Sequence, residues 1–465
     1  MRNQLFIGSL IFSAAIVLLM NSITGCANMV PPSGGPRDSI PPRLILADPL
    51  DSALRVSEQK ITLTFDEFIE LKSPSEQILI SPFPQKAPQY DSRLKTITIR
   101  LKDSLLPSTT YVIDFGQAIA DINEGNLIKG YRFVFSTGDY LDTLELKGSI
   151  LSAETGMADS TMLALLYKVE TDSAVCKNLP GYITRLDGMG RFRFSNLPEG
   201  TYYVFGLQDT DGNKKYTPPS EAFAFLDTPV RVGRQSDSVS MFSYQAEKPK
   251  KQTPPASGKK LSFTTNLFGG AMHEQDTLTL EFQKPLVNIQ TQRIRLFEDS
   301  VSLDLPLFFK DTTPPASQIR IAGPWKRGKS YKLYFDSAYA TDTSGFKPGI
   351  KDTFAFRVRS EKENGSLRIR IKKLRKEGQP VLLFYAGDQL VYRYALIASE
   401  FIRSSFPAGS YRLAVLYDLN GNQRWDPGSY FEQPRRQPER VVPIEKPLTV
   451  RPEWENELQI EFSDQ

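Results

Sequence analysis

Short runs that alternate apolar and polar residues recur along most of the chain, each stopped by Pro, Gly, Asp or Ser. A period of two places the apolar side chains on one face of an extended strand, so each run predicts a half-buried β-strand. Ile61-Thr62-Leu63-Thr64-Phe65 is one such run, and Leu278-Thr279-Leu280-Glu281-Phe282 repeats it 217 positions later. Both end on Phe and lead into an expected turn, Asp66-Glu67 in the first and Gln283-Lys284-Pro285 in the second. The following strands also pair off: Thr96–Arg100 with Gln318–Ile321, Tyr111–Phe115 with Tyr331–Phe335, and Arg132–Phe135 with Thr353–Phe356. Strands this short and dense, punctuated by turn formers, predict antiparallel β-sandwiches.

A second repeated unit is interleaved with the first. Leu197-Pro198-Glu199-Gly200-Thr201-Tyr202 leads to Asp209-Thr210-Asp211-Gly212-Asn213, and Phe406-Pro407-Ala408-Gly409-Ser410-Tyr411 leads to Asp418-Leu419-Asn420-Gly421-Asn422, both offset by 209 positions without a gap. The chain thus reads A-B-A-B and all-β, as tandem antiparallel sandwiches. The boundaries are a signal segment at 1–25, a Pro/Gly-rich tether at 26–43, A at 44–139, B at 140–246, a Lys/Pro-rich linker at 247–260, A at 261–360 and B at 361–465. The short joins near 139 and 361 predict that each A-B pair packs as one rigid unit.

The N-terminal segment has a different pattern. Arg2 precedes the apolar stretch Leu5–Met20, which ends in Ile23-Thr24-Gly25-Cys26. This resembles the lipobox of a bacterial lipoprotein, in which the cysteine takes a diacylglycerol, and implies a lipid anchor at Cys26. An uncleaved anchor helix over 5–23 is the alternative, against which stand the polar Asn21, Ser22 and Thr24 at its end; cleavage and secretion without a lipid is a third. Past residue 23 no apolar run is long enough to cross a bilayer.

With these residues set out, a family resemblance follows. The A units resemble the bacterial Ig-like domain first described in surface-layer proteins, through the strand ending in Phe, the acidic turn and the later Tyr-x-x-x-Phe strand; the second A unit lacks the acidic turn. The B units resemble the transthyretin-like sandwich found as a regulatory module of carboxypeptidases, through the Leu-Pro-x-Gly-x-Tyr turn. Together with Cys26-Ala27-Asn28-Met29-Val30-Pro31-Pro32 and Ile40-Pro41-Pro42, the chain resembles Ig-like-domain lipoproteins of Bacteroidota. Such motifs specify a scaffold and leave the function to particular sites.

Composition excludes several chemistries. Apart from Cys26 only Cys176 remains, so no disulfide staples the mature chain. His273 is the only histidine, which leaves a His/Cys zinc site, a Ser-His-Asp triad and a Cys-His dyad short of members. A net charge of +4 over 465 residues is no nucleic-acid footprint. The strongest local constellation is Asp418, Asn420, Asn422 and Asp426, oxygen side chains at positions 1, 3, 5 and 9 of a loop, with Asp209, Asp211 and Asn213 as a shorter counterpart. Two readings stand: a calcium site, although position 12 is Ser429 rather than Glu, or an Asx-rich hairpin loop bonding its own backbone.

Lesser candidates each pair a functional reading with a structural one. Arg368, Arg370 and Lys372 share one face of a predicted strand and read either as a solvated outer face or as a contact for phosphate-bearing lipid or an acidic partner. Trp425, Tyr430 and Phe431 follow the second Asp/Asn loop and would stack on a sugar or anchor a protein contact, unless Trp425 caps its own core. Asp66, Glu67 and Glu70 read as a solvated acidic turn, His273 as a loop residue and Cys176 as an incidental thiol.

The expected function is therefore a non-enzymatic, lipid-anchored string of four sandwiches. It would serve an outer-membrane or periplasmic protein as an accessory subunit of an assembly, secretion or transport complex. The alternative is a glycan- or matrix-binding surface lipoprotein with calcium-assisted loops, and a carboxylate-only hydrolase ranks last. Ala27 does not resemble the inner-membrane retention signal, and Ala27–Val30 lacks the acidic cluster resembling a surface-export signal, so an outer-membrane, periplasm-facing address is expected.

Overall fold

The computed structural model describes residues 38–168, 173–234, 236–246, 260–303, 308–310, 316–375 and 377–462. The proposed lipid site Cys26, and all but the last residue of the Lys/Pro-rich linker, lie outside them. The described residues are organised around four sandwich cores in chain order.

In the first sandwich, one sheet runs in the order Leu44–Asp48, Lys60–Phe65, Thr96–Arg100, Gln89–Arg93 and faces a second made of Leu79–Ser81, Thr110–Asp114 and Arg132–Ser136. The alternation does what its period demands: Ile61, Leu63, Phe65, Ile97 and Ile99 are buried against Ile113, Phe133 and Phe135, and Thr62 and Thr64 point outward. A short ribbon of Ile69–Leu71 and Ile119–Asp121 closes one end.

The third sandwich has a similar plan, with its facing sheet widened by Ala271–Met272 and Val301–Leu303 and with a change in one expected turn. Gln283-Lys284-Pro285 does not form the expected turn; it lies inside a continuous strand, Leu278–Ile289. That strand pairs first with Ala316–Ile321 and then with Ala340–Asp342, and its register slips between Glu281 and Leu286. Pro285 is tolerated because it falls in the slipped stretch, where the ladder does not need its missing N–H.

The second and fourth sandwiches share one topology. Leu144–Ser152 lies between Arg191–Leu197, antiparallel, and Val239–Ser243, parallel; Asn364–Lys372 lies likewise between Glu400–Pro407 and Glu455–Glu461. The facing sheets are Tyr182–Arg185, Leu163–Tyr167, Gly200–Leu207 and Phe223–Phe225, and then Gln389–Ala395, Gln379–Ala386, Gly409–Asp418 and Arg440–Val450. The Pro-x-Gly-x-Tyr motif now has a physical reason. Tyr202 Oη donates to Pro198 O at 2.9 Å and Tyr411 Oη to Pro407 O at 3.0 Å, so each ring folds back over its own turn. At Gly409, where φ is +159°, a Cβ would lie only 3.2 Å from the Tyr411 hydroxyl.

The sandwiches are not strung in a line. The first joins the second through Phe83 N–H to Gly181 O (2.8 Å), Ser81 Oγ against the Ile183 backbone, and Arg185 donating to Glu76 O and Gln77 O. The third meets the fourth through His273 and Ser405, 3.1 Å apart, and through a capping box of Ser360 and Glu363 at the joint. The chain then doubles back, and the fourth sandwich packs on the second: Val441 N–H donates to Ala153 O at 2.7 Å, and Gln437 Nε2 donates to Asp227 Oδ1 at 3.0 Å.

Sheets covered on both faces read as continuous apolar runs. In Leu163–Tyr167, Ala164 and Leu166 enter the inner core, whereas Leu165 and Tyr167 enter an outer cluster. In Gln379–Ala386, Leu382 and Phe384 point inward, and Val381 and Leu383 outward. The outer cluster of the second sandwich also takes Leu79 and Phe83 of the first and Trp425 and Tyr430 of the fourth, so three sandwiches meet there.

Candidate functional site

The Asp/Asn loops leave the ends of Gly200–Leu207 and Gly409–Asp418 and face the seam between the second and fourth sandwiches. Asp418 is fully buried; its Oδ1 accepts the N–H groups of Asn420 (3.2 Å) and Gly421 (2.7 Å), and its Oδ2 that of Gln423 (2.6 Å). Asn420 Oδ1 accepts Asn422 N–H, Asn422 Oδ1 accepts Arg424 N–H, and both amides donate to Asp426 Oδ2 at 2.6 and 2.7 Å. In the first loop Asp209 accepts Lys214 N–H at 3.0 Å and pairs with the Lys214 ammonium, and Asp211 accepts from Asn213 and Thr217.

Two further carboxylates complete these loops, and sequence reasoning missed both. Glu221, 1% exposed, accepts Thr210 N–H at 2.8 Å and Thr217 N–H at 2.9 Å; Glu439, 4% exposed, accepts Leu419 N–H at 2.7 Å and Asp426 N–H at 3.1 Å. The donors correspond at the same offset of 209 positions, but the glutamates do not, so no fixed spacing could have revealed them. Burial first, and then the nearby charges of Asp418 and Asp426, push the Glu439 carboxyl above its ordinary value against the pull of its two N–H bonds.

Asp209, Asp211 and Glu221 each bring a carboxylate oxygen within 4.8 Å of the others, a hard donor set in type. The chain already supplies partners for it: backbone N–H groups, an ammonium and side-chain amides. Ser429 does not join the second loop; it exchanges backbone bonds with Arg436. As it stands, the geometry is that of self-bonded Asx loops.

The remaining candidates fall elsewhere. Tyr430, expected as an exposed binding aromatic, is 4% exposed and sits edge-on against Phe205, Phe223 and Phe225 of the second sandwich. Trp425 is half-buried and donates Nε1–H to Glu439 O at 2.7 Å. Neither offers a free platform for a sugar. Arg368 and Arg370 lie on the outer face of the fourth sandwich between Glu400 and Glu457, at 3.1 to 3.6 Å, and Lys372 is exposed beyond them. That ladder balances its own charge, which disfavours the phosphate reading.

Asp66 caps Arg43 N–H, and Glu70 pairs with Lys72 at 3.2 Å. Glu67 is pushed upward by burial and then by Asp121, Asp66, Asp38 and Glu124. Burial pushes the Cys176 thiol up, with Lys177 opposing, which leaves it poorly nucleophilic. The fully buried Asp121, unremarked in the sequence, takes the N–H groups of Glu124, Gly125 and Asn126; Asp342 does the same for Ser344 and Phe346 in the third sandwich. A cavity of about 330 Å³ opens at the seam, where Arg440 stacks on Phe242 at 5.0 Å and pairs with Glu377.

Residues 38–137 match the family model of the bacterial Ig-like domain, so the chain is an Ig-like-domain protein built from tandem β-sandwiches. No curated protein matches the sequence. Among solved structures, the major pilin subunit BcpA of Bacillus cereus is similar at 12% identity over 68% of this chain and 98% of its own, with a TM-score of 0.18. The TIE protein of Bacillus anthracis is similar at 12% identity over 93% of this chain and 76% of its own, with a TM-score of 0.17. The N-terminal part of the surface-layer protein SbsC is similar at 13% identity over 45% of this chain and 44% of its own, with a TM-score of 0.17. Scores this low describe no shared arrangement.

Proposed function

We propose that this chain is a non-enzymatic scaffold of the bacterial outer membrane, held by a lipid on Cys26 and facing the periplasm, that docks an envelope protein as an accessory subunit. The observation that carries this reading is the apolar surface of the first sandwich. Leu44–Asp48 is an edge strand, and Ile45 (66% exposed), Leu46 (56%) and Leu50 (67%) stand out to solvent on it and just after it. An edge strand carries unpaired backbone groups, and natural sheets usually guard it with charge or proline. Here charge and proline stand only at its ends, Arg43, Asp48 and Pro49, and its pairing slips between Leu44 and Leu46, which turns the apolar Ile45 and Leu46 both outward, where a partner strand or surface could take them.

Its position supports the same reading. Residues 26–38, fully extended, would reach about 40 Å, so a lipid on Cys26 keeps this edge close to the membrane. Asp121, Glu221 and Asp418 each accept backbone N–H groups on both carboxylate oxygens and so are poorly placed to act as an acid or base. Tyr430 and Trp425, two of the three aromatics on which the glycan alternative rests, are taken up in the seam, and Phe431 stays partly exposed.

The test is a mild-detergent pulldown of the tagged chain from its native membranes, beside Cys26→Ala and the double variant Ile45→Lys/Leu46→Glu. A stoichiometric envelope protein should accompany the unaltered chain and be lost with the edge variant. Recovery of the chain alone would overturn the reading.

A further inference from the structure

The duplicated loops differ in length at one place. Up to Thr217 and Asp426 they correspond position by position, and the next shared feature is the capping glutamate, Glu221 or Glu439. Between those points the first loop has only Pro218–Ser220, whereas the second has Pro427–Pro438, nine residues more. The added residues close on themselves through Ser429 N–H to Arg436 O (2.7 Å) and Arg436 N–H to Ser429 O (2.9 Å). Arg435 covers the Tyr430 ring at 4.4 Å.

The tip of this insert meets a socket made for it. Phe205, Phe223 and Phe225 lie on the face of the second sandwich that turns away from its own core, and Tyr430 fills the space among them at 5.1 to 5.6 Å between ring centres. Phe431 stacks on Tyr216 at 6.2 Å. Gln437 reaches back to Phe225 O and Asp227. At Gly428 a Cβ would stand 2.9 Å from Arg436 O and Pro438 Cδ of the insert and equally 2.9 Å from the Tyr244 ring of the second sandwich. Without the insert, aromatic residues on the outer face of a sheet would be left open to water.

We propose that Pro427–Pro438 is a clasp, added to one copy of a duplicated loop, that locks the first two sandwiches to the last two by adding an aromatic anchor to the smaller contacts that Arg440 and Val441 make with Phe242 and Ala153. The occupant of the socket is the chain's own aromatic-tipped loop. The clasp sets the distance between the first and third sandwiches, and when it opens, the aromatic face of the second sandwich is bared.

The experiment uses the full chain with a site-specific protease sequence placed within residues 247–259. After cleavage, the unaltered protein should elute from a sizing column as one particle. Deleting Gly428–Arg436, which restores the loop length of the first copy, should let the halves elute separately with their far-UV β signal intact. Tyr430→Ala keeps the loop length and should raise the concentration at which the cut halves part by about thirtyfold, as expected for a buried aromatic anchor; Tyr430→Phe should not. Cut halves that separate in the unaltered protein, or that stay together in both the deletion and Tyr430→Ala, would overturn the clasp.

Discussion

At the scale of single residues, this chain spends its buried polar groups on holding loops. Asp121, Asp342, Asp418, Glu221 and Glu439 are all buried, and each accepts backbone N–H groups that no strand pairs. Burial alone would raise Asp121, but its three N–H bonds outweigh that and hold the carboxyl below its usual range. Asp418→Ala would orphan three N–H groups at once and should cost about 2–4 kcal/mol, read by denaturant unfolding, whereas Asn422→Ala on the exposed side should cost under about 1 kcal/mol. Because the loop oxygens already have donors, calcium should leave the melting temperature unchanged. A rise of several degrees on adding calcium, reversed by chelator, would make these loops metal sites instead. Tyr202→Phe removes one buried hydrogen bond and should cost about 1 kcal/mol.

At the scale of elements, repeated motifs proved to be repeated contacts. Gly148 lies between two strands in a central position, where a Cβ would come within 2.5 Å of both Phe192 Cζ and Val239 O. Gly148→Ala should therefore loosen the parallel pair Leu144–Ser152 with Val239–Ser243 and cost about 1–3 kcal/mol, with faster amide exchange along Val239–Ser243 as its signature. The joint between the third and fourth sandwiches has its own pH dependence. Arg357 first, and then the Ser360 N–H, hold the Glu363 carboxyl down to about 2 from an ordinary 4.5. A depressed carboxyl stabilises the fold fully above its unfolded value and loses that contribution as pH falls through its folded value. The joint should thus weaken between pH 4.5 and 2, and Glu363→Gln should flatten that part of the acid-unfolding curve. Strand pattern alone misplaced only the turn at Gln283-Lys284-Pro285, because a slipped register lets a proline sit inside a strand.

At the scale of the molecule, the seam couples parts distant in sequence. The second sandwich shares its outer cluster with the first and the fourth, so a defect in one should be felt in the others. Asp418→Ala should speed hydrogen exchange in the Phe223–Phe225 strand as well as in its own loop; exchange confined to the fourth sandwich would show the seam to be passive. In the proposed role, such coupling gives a scaffold a stiff body behind its apolar edge strand.

What the amino-acid order determined by itself was everything local. Alternation with a period of two, the Pro-x-Gly-x-Tyr turns and the gapless offset of the loops declared strands, corners and duplication, because each depends on neighbours within a few residues. Leu163-Ala164-Leu165-Leu166-Tyr167 carried a signal for a second buried face, since apolar residues on both sides of a strand demand cover on both. Which surface would supply that cover could not be read along the chain. The Tyr430 socket depends on a contact across 225 positions, and Glu221 and Glu439, though only 4 to 20 positions from the N–H groups they cap, stand at unequal offsets in the two copies; only the folded chain decides which of many apolar and charged groups come within a few ångströms of one another.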